Sequence, residues 1–76
     1  MTKKDIIWYL KSSIKKGDIQ FADPTDKEYL LDILKDGDLD EFFSQLAVCK
    51  LAENMGEWDR GFLADMEAEW EGIKED

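Results

Sequence analysis

Histidine is missing from this chain of 76 residues, cysteine and proline occur once each, and lysine becomes sparse after residue 16. The lack of histidine removes Ser-His-Asp and Cys-His nucleophile systems, a histidine general base near neutral pH, and Cys/His zinc sites. A single cysteine, Cys49, leaves no disulfide within the chain, which fits a reducing compartment. No apolar run approaches the roughly 20 residues that span a bilayer. The opening Met-Thr-Lys-Lys-Asp leads into an amphipathic segment rather than a signal sequence. The expectation is a cytoplasmic, soluble protein with no membrane contact.

What remains is the composition of a folded chain: 43% of residues are hydrophobic and 12% aromatic. One domain covering 1–76 is expected, with a thin core, since a chain of about this size buries only about 60% of its unfolded surface. Charge is abundant and unevenly spread. Residues 1–16 carry Lys3, Lys4, Lys11, Lys15 and Lys16 against Asp5, a net +4; the remainder carries 5 basic and 18 acidic groups, a net −13. Acid on this scale opposes direct binding of nucleic acid, whose phosphates call for Lys and Arg. It suits a protein partner with a basic surface.

Helix punctuation divides the chain into four segments. Thr2 with Asp5 resembles a capping box and Gly17 stands where a left-handed C-terminal cap belongs, predicting a helix over 3–16. Asp23-Pro24-Thr25-Asp26 combines an N-cap, a proline in the first turn and an early acid, predicting a second helix over 24–35. Asp38 with Glu41 repeats the capping pattern, and Gly56 closes a third helix at 39–55. The stretch 57–73 reads as a fourth despite Gly61 and Gly72. Ile19 and Phe21 are expected to plug the core from a loop. The fold class is all-α, a compact bundle of three to four helices with short loops, the apolar third helix at its centre.

The joint Lys35-Asp-Gly-Asp-Leu-Asp-Glu-Phe-Phe43 looks like the back half of a calcium loop. With Gly37 at position 6 of an EF-hand loop, Asp32, Asp36, Asp38 and Asp40 fall at ligand positions 1, 5, 7 and 9. Position 3 is Leu34, however, and position 12 is Phe43 in place of the bidentate glutamate. Helix capping accounts for every residue here, so neither a metal nor another cofactor is expected. Cys49 aligns with Phe42 and Leu46 and reads as a small buried hydrophobe in the third helix, beside Ala47, Val48 and Leu51.

Two helix faces carry the functional expectation. At about 100° per residue, Lys4, Trp8, Lys11 and Lys15 share an arc beside the apolar stripe of Ile6, Ile7, Leu10 and Ile14. Such a face either contacts a partner or packs against the acidic fourth helix; internal packing is the favoured expectation. In the fourth helix Trp58, Phe62, Leu63, Met66, Trp70 and Ile73 form an apolar stripe expected in the core. Outside it, Glu67, Glu71 and Glu75 repeat every four residues, a mutually repulsive ladder that with Glu57 and Asp65 would resemble a row of phosphates. Trp8 or Trp58 would anchor a contact made through these acids.

A chain this short offers no deep pocket, and a non-enzymatic role is expected. Small, acidic, histidine-free helical chains are similar in general character to phage-encoded inhibitors of host defence, anti-CRISPR proteins among them, and to DNA mimics. The leading expectation is a stoichiometric inhibitor or modulator that occupies a basic, nucleic-acid-binding surface of another protein. The alternatives are an immunity or antitoxin-type protein and a homo-oligomeric assembly module, a homodimer being its simplest form.

Overall fold

A computed structural model describes residues 1–49 and 56–75, which form four helices: α1 (Lys3–Lys16), α2 (Pro24–Asp36), α3 (Leu39–Val48) and α4 (Glu57–Glu75). The fold is an all-α bundle, with no strand among the described residues. Among the described residues no helix is long and apolar enough to cross a membrane.

The starts of the first three helices follow from side chains that satisfy backbone N–H groups lacking an intrahelical partner. The Asp5 amide donates to Thr2 Oγ1 (3.2 Å) and the Thr2 amide to Asp5 Oδ2 (3.0 Å), a complete capping box. Asp23 Oδ1 accepts from the Thr25 amide at 2.9 Å and from the Thr25 hydroxyl at 2.8 Å. Asp38 Oδ1 accepts from the Glu41 amide at 3.1 Å. These bonds hold the Asp5 and Asp23 carboxyls below the ordinary carboxylate range, the backbone bond being the larger cause in each.

Gly17 and Gly37 end α1 and α2 at φ of 89° and 79°, where a β-carbon would be strained. At the second joint the Gly37 amide reaches Leu34 O (3.0 Å) and the Asp38 amide reaches Ile33 O (3.3 Å), the paired bonds of a Schellman motif. Asp38 thus closes α2 with its amide and opens α3 with its carboxylate. Only Gly37 and Asp38 separate the two helices.

The core forms where the apolar stripes meet. Ile6, Leu10 and Ile14 of α1 are fully buried; Leu30, Ile33 and Leu34 of α2, Leu39, Phe42 and Phe43 of α3, and Leu63 and Met66 of α4 complete it. Ile19 enters from the α1–α2 connection at 2% exposure, as its sequence position predicts, with half-buried Phe21 packed beside it. Burial of each large aliphatic side chain contributes roughly 1.5–3 kcal/mol, much of it offset by lost conformational freedom. The most extensive backbone contacts are between α2 and α3, α1 and α4, and α1 and α2.

Four expectations need correction. The helices that each pack on two others are α1, on α2 and α4, and α2, on α1 and α3, rather than the expected third helix; α1 holds three side chains at 0% exposure. Helix α3 ends at Val48, because Cys49 turns to extended backbone (φ −72°, ψ 142°) as its C-cap; the expected continuation over 50–55 lies outside the described residues. Val48 is 79% exposed and Ala47 is exposed, so the apolar run of α3 outlasts the core it faces. Cys49 is half-buried at the helix end rather than inside the helix, and burial raises its thiol pKa, with the charge and hydrogen bonding of Asp26 adding to the shift. That environment suppresses thiolate reactivity. Smaller differences are α2 reaching Asp36 and α4 reaching Glu75.

Candidate interaction surface

The expected functional residues fall on three separate surfaces. On α1, Lys4, Trp8 and Lys15 are exposed and Lys11 is half-buried. Trp8 is 63% exposed and meets Tyr9 edge-on, ring centroids 5.1 Å apart. The favoured expectation, that this face packs against α4, is therefore overturned. A cation-π contact between the two helices does exist but uses other residues: Lys3 Nζ lies 5.7 Å from the Trp70 ring centroid. Lys3 sits one residue before Lys4, rotated about 100° around α1 and toward α4.

The acidic residues of α4 do not form one row. Positions 65 and 67 are two residues apart and so point about 160° apart around the axis. Asp65 lines a cleft of about 240 Å³ with Trp58, Gly61 and Phe62, while Glu67 and Glu71 face α3. Glu57 is exposed in the first turn, and the side chain of Glu75 lies outside the described residues. Trp58, expected in the core, is 77% exposed and stacks on half-buried Phe62 at 6.2 Å and 6° between planes. The stripe on α4 is core only from Phe62 onward, because its first turn extends beyond the buried layer.

Between α3 and α4 runs an open groove that sequence reasoning missed. One half, about 380 Å³, has Leu46, Leu63, Ala64 and Ala68 as its apolar lining with Arg60 at its edge. The adjoining half, about 440 Å³, is lined by Phe43, Ser44 and Ala47 of α3 and by Trp70 and Lys74 of α4. Glu67 and Glu71 line both halves. On α4 the lining positions 60, 63, 64, 67, 68 and 71 recur at intervals of three and four, a stripe beside the core stripe.

A polar knot ties the two helices at one end of this groove. Trp70 Nε1 donates to Asp40 Oδ1 at 3.0 Å, and Lys74 Nζ donates to the same oxygen at 2.8 Å. Lys74 also bridges Glu71 Oε1 at 3.1 Å, and its Nζ lies 5.8 Å from the Trp70 ring centroid. Hydrogen bonding from Lys74, then from Trp70, holds the Asp40 carboxyl below the ordinary range; the bond to Asp40, then the one to Glu71, raises Lys74. Asp40 is 64% exposed, so the pair adds little stability and acts by fixing position. Two acids of the calcium-like stretch thus have other partners, Asp38 the α3 amide of Glu41 and Asp40 side chains of α4.

Comparison with protein-family models, with curated proteins and with solved structures finds no match to this chain. The reading of its surface rests on its own residues.

Proposed function

We propose that this chain is a protein-binding protein that acts stoichiometrically, without catalysis, by occupying a basic surface of another protein. The observation that carries the reading is the pairing of exposed Glu67 and Glu71 beside exposed Ala64 and Ala68 and half-buried Leu46, on a chain with net charge −9. Apolar area supplies affinity, while the carboxylates supply association rate and choice of partner. The division of the α4 acids between two flanks favours this arrangement over a continuous imitation of a phosphate row. An immunity or antitoxin role would use the same chemistry on a toxin, and partner identity separates the two.

The test is affinity for a cross-linked and identified partner, measured from low to high salt, for the native chain and for Glu67→Gln/Glu71→Gln. The expected result is a basic partner, marked weakening with salt, and weaker binding by the double variant. Affinity indifferent to both salt and the substitutions would refute the proposal.

A further inference from the structure

The groove between α3 and α4 has a length, floor and wall that together specify what fits it. Its α4 side runs from Arg60 to Lys74, and 14 residues at 1.5 Å each make about 21 Å, or four helical turns. Its apolar lining is aliphatic and small: buried Leu63 lies at its base, and half-buried Leu46 and exposed Ala64 and Ala68 complete it. A third helix nesting against two others requires axes about 8–10 Å apart, which small residues permit. Glu67 and Glu71 are exposed and common to both halves, Glu67 midway along the groove and Glu71 nearer its end, where it is already bridged by Lys74. The Asp40–Lys74 bond closes one end.

Building on the protein-binding reading above, we infer that this groove seats one cationic amphipathic helix of a partner. The helix lays aliphatic residues spaced i, i+3/i+4, i+7 on Leu46, Ala64 and Ala68 and directs lysine or arginine first to Glu67, and to Glu71 in competition with Lys74. This is helix-in-groove recognition, with the apolar stripe setting register and the charges setting choice of partner. Nucleic acid is disfavoured by the carboxylates.

The other candidate occupant is a second copy, in which α1 is the strongly basic helix among the described residues. Its aliphatic stripe, Ile6, Leu10 and Ile14, is already fully buried in its own core. A second copy therefore offers the groove only the Lys4–Trp8–Lys11–Lys15 face. Two chains of net charge −9 also repel each other.

The experiment titrates the isotope-labelled full chain with a Leu/Lys peptide of about 15 residues whose leucines follow helical spacing, and with a scramble of the same composition. The expected result is resonance changes centred on Leu46, Leu63, Ala64 and Ala68. The patterned peptide should bind at least about tenfold more tightly than the scramble, equivalent to about 1.4 kcal/mol. Ala68→Trp, which fills the groove from an exposed position, and Glu67→Lys/Glu71→Lys should each remove that advantage. Glu28→Lys/Asp32→Lys on the exposed side of α2 makes the same charge change and should retain it.

Equal binding of both peptides, or equal loss with the α2 variant, overturns the groove and leaves a diffuse acidic binder. No binding of either peptide at low salt overturns the protein-binding reading as well. Concentration-dependent self-association in sedimentation that Ala68→Trp abolishes assigns the groove to a second copy and overturns the inference.

Discussion

Helices α1 and α4 are both amphipathic and pack on each other, yet they are used differently. Helix α1 is capped at both ends and places three side chains at 0% exposure. Helix α4 is longer, carries two glycines in its interior, and its best-buried side chains, Leu63 and Met66, remain 7% and 6% exposed. One helix is committed to the core on its apolar face, whereas the other divides its circumference among core, groove and acidic flank. The difference teaches that hydrophobic periodicity reports which residues share a face, while burial depends on whether a neighbour extends far enough to cover them.

The sharpest way to break the comparison is to truncate equivalent leucines. Leu10→Ala should cost about 2–5 kcal/mol, the range for fully buried leucine, and Leu63→Ala should fall at or below its lower end. Urea denaturation monitored by circular dichroism reads both. Equal losses would make α4 as much a core helix as α1.

The glycines give the next test, because one substitution should have opposite signs. Gly37→Ala forces a β-carbon into left-handed backbone and should destabilise by about 1–2 kcal/mol. Gly61 and Gly72 have nothing within 4 Å of an added β-carbon, so alanine at each should stabilise the free chain by about 0.5–1 kcal/mol. Thermal melting of the three variants decides the signs. Destabilisation at Gly61 or Gly72 would refute an open flank on α4.

Smaller still is the effect of the knot between α3 and α4. A carboxyl whose folded pKa is lowered contributes stability above its unfolded pKa and loses it as pH falls through the folded value. The Asp40 contribution is therefore present at neutral pH and disappears below the ordinary carboxylate range. Of the three tryptophan indole N–H resonances, that of Trp70 should move with this late titration. Asp40→Asn should abolish the movement with little change in melting temperature. A Trp70 resonance titrating with the bulk of the carboxylates would remove the bond to Asp40.

The three cap-defined helix starts and the stops at Gly17 and Gly37 were legible because they depend on residues within a few positions of each other, whereas the stop expected at Gly56 was not met, since α3 ends at Val48. The Gly37–Asp38 joint could be separated from a calcium loop on two positions alone, Leu34 and Phe43. The Asp40–Trp70–Lys74 knot was not legible: its members lie 30 and 34 residues apart, and nothing local distinguishes Asp40 from the neighbouring capping acids. The groove was hidden for the same reason. Its α4 lining includes Ala64 and Ala68, but Leu46 belongs to another helix. Trp58 was misplaced because its spacing continues the stripe past the last covering residue.

The two-residue joint at Gly37–Asp38 also bears on the order of assembly. Helices α2 and α3 meet across a connection too short to wander, so their pairing carries little loop-closure entropy. Contacts between α1 and α4 join the most distant parts of the sequence and must wait for the chain to double back. Helix α4 should thus dock last and detach first, and amide hydrogens along it should exchange through a partial opening while α2 and α3 stay protected. The helix that lines the groove would then be the one the molecule can release at least expense to the rest of its fold.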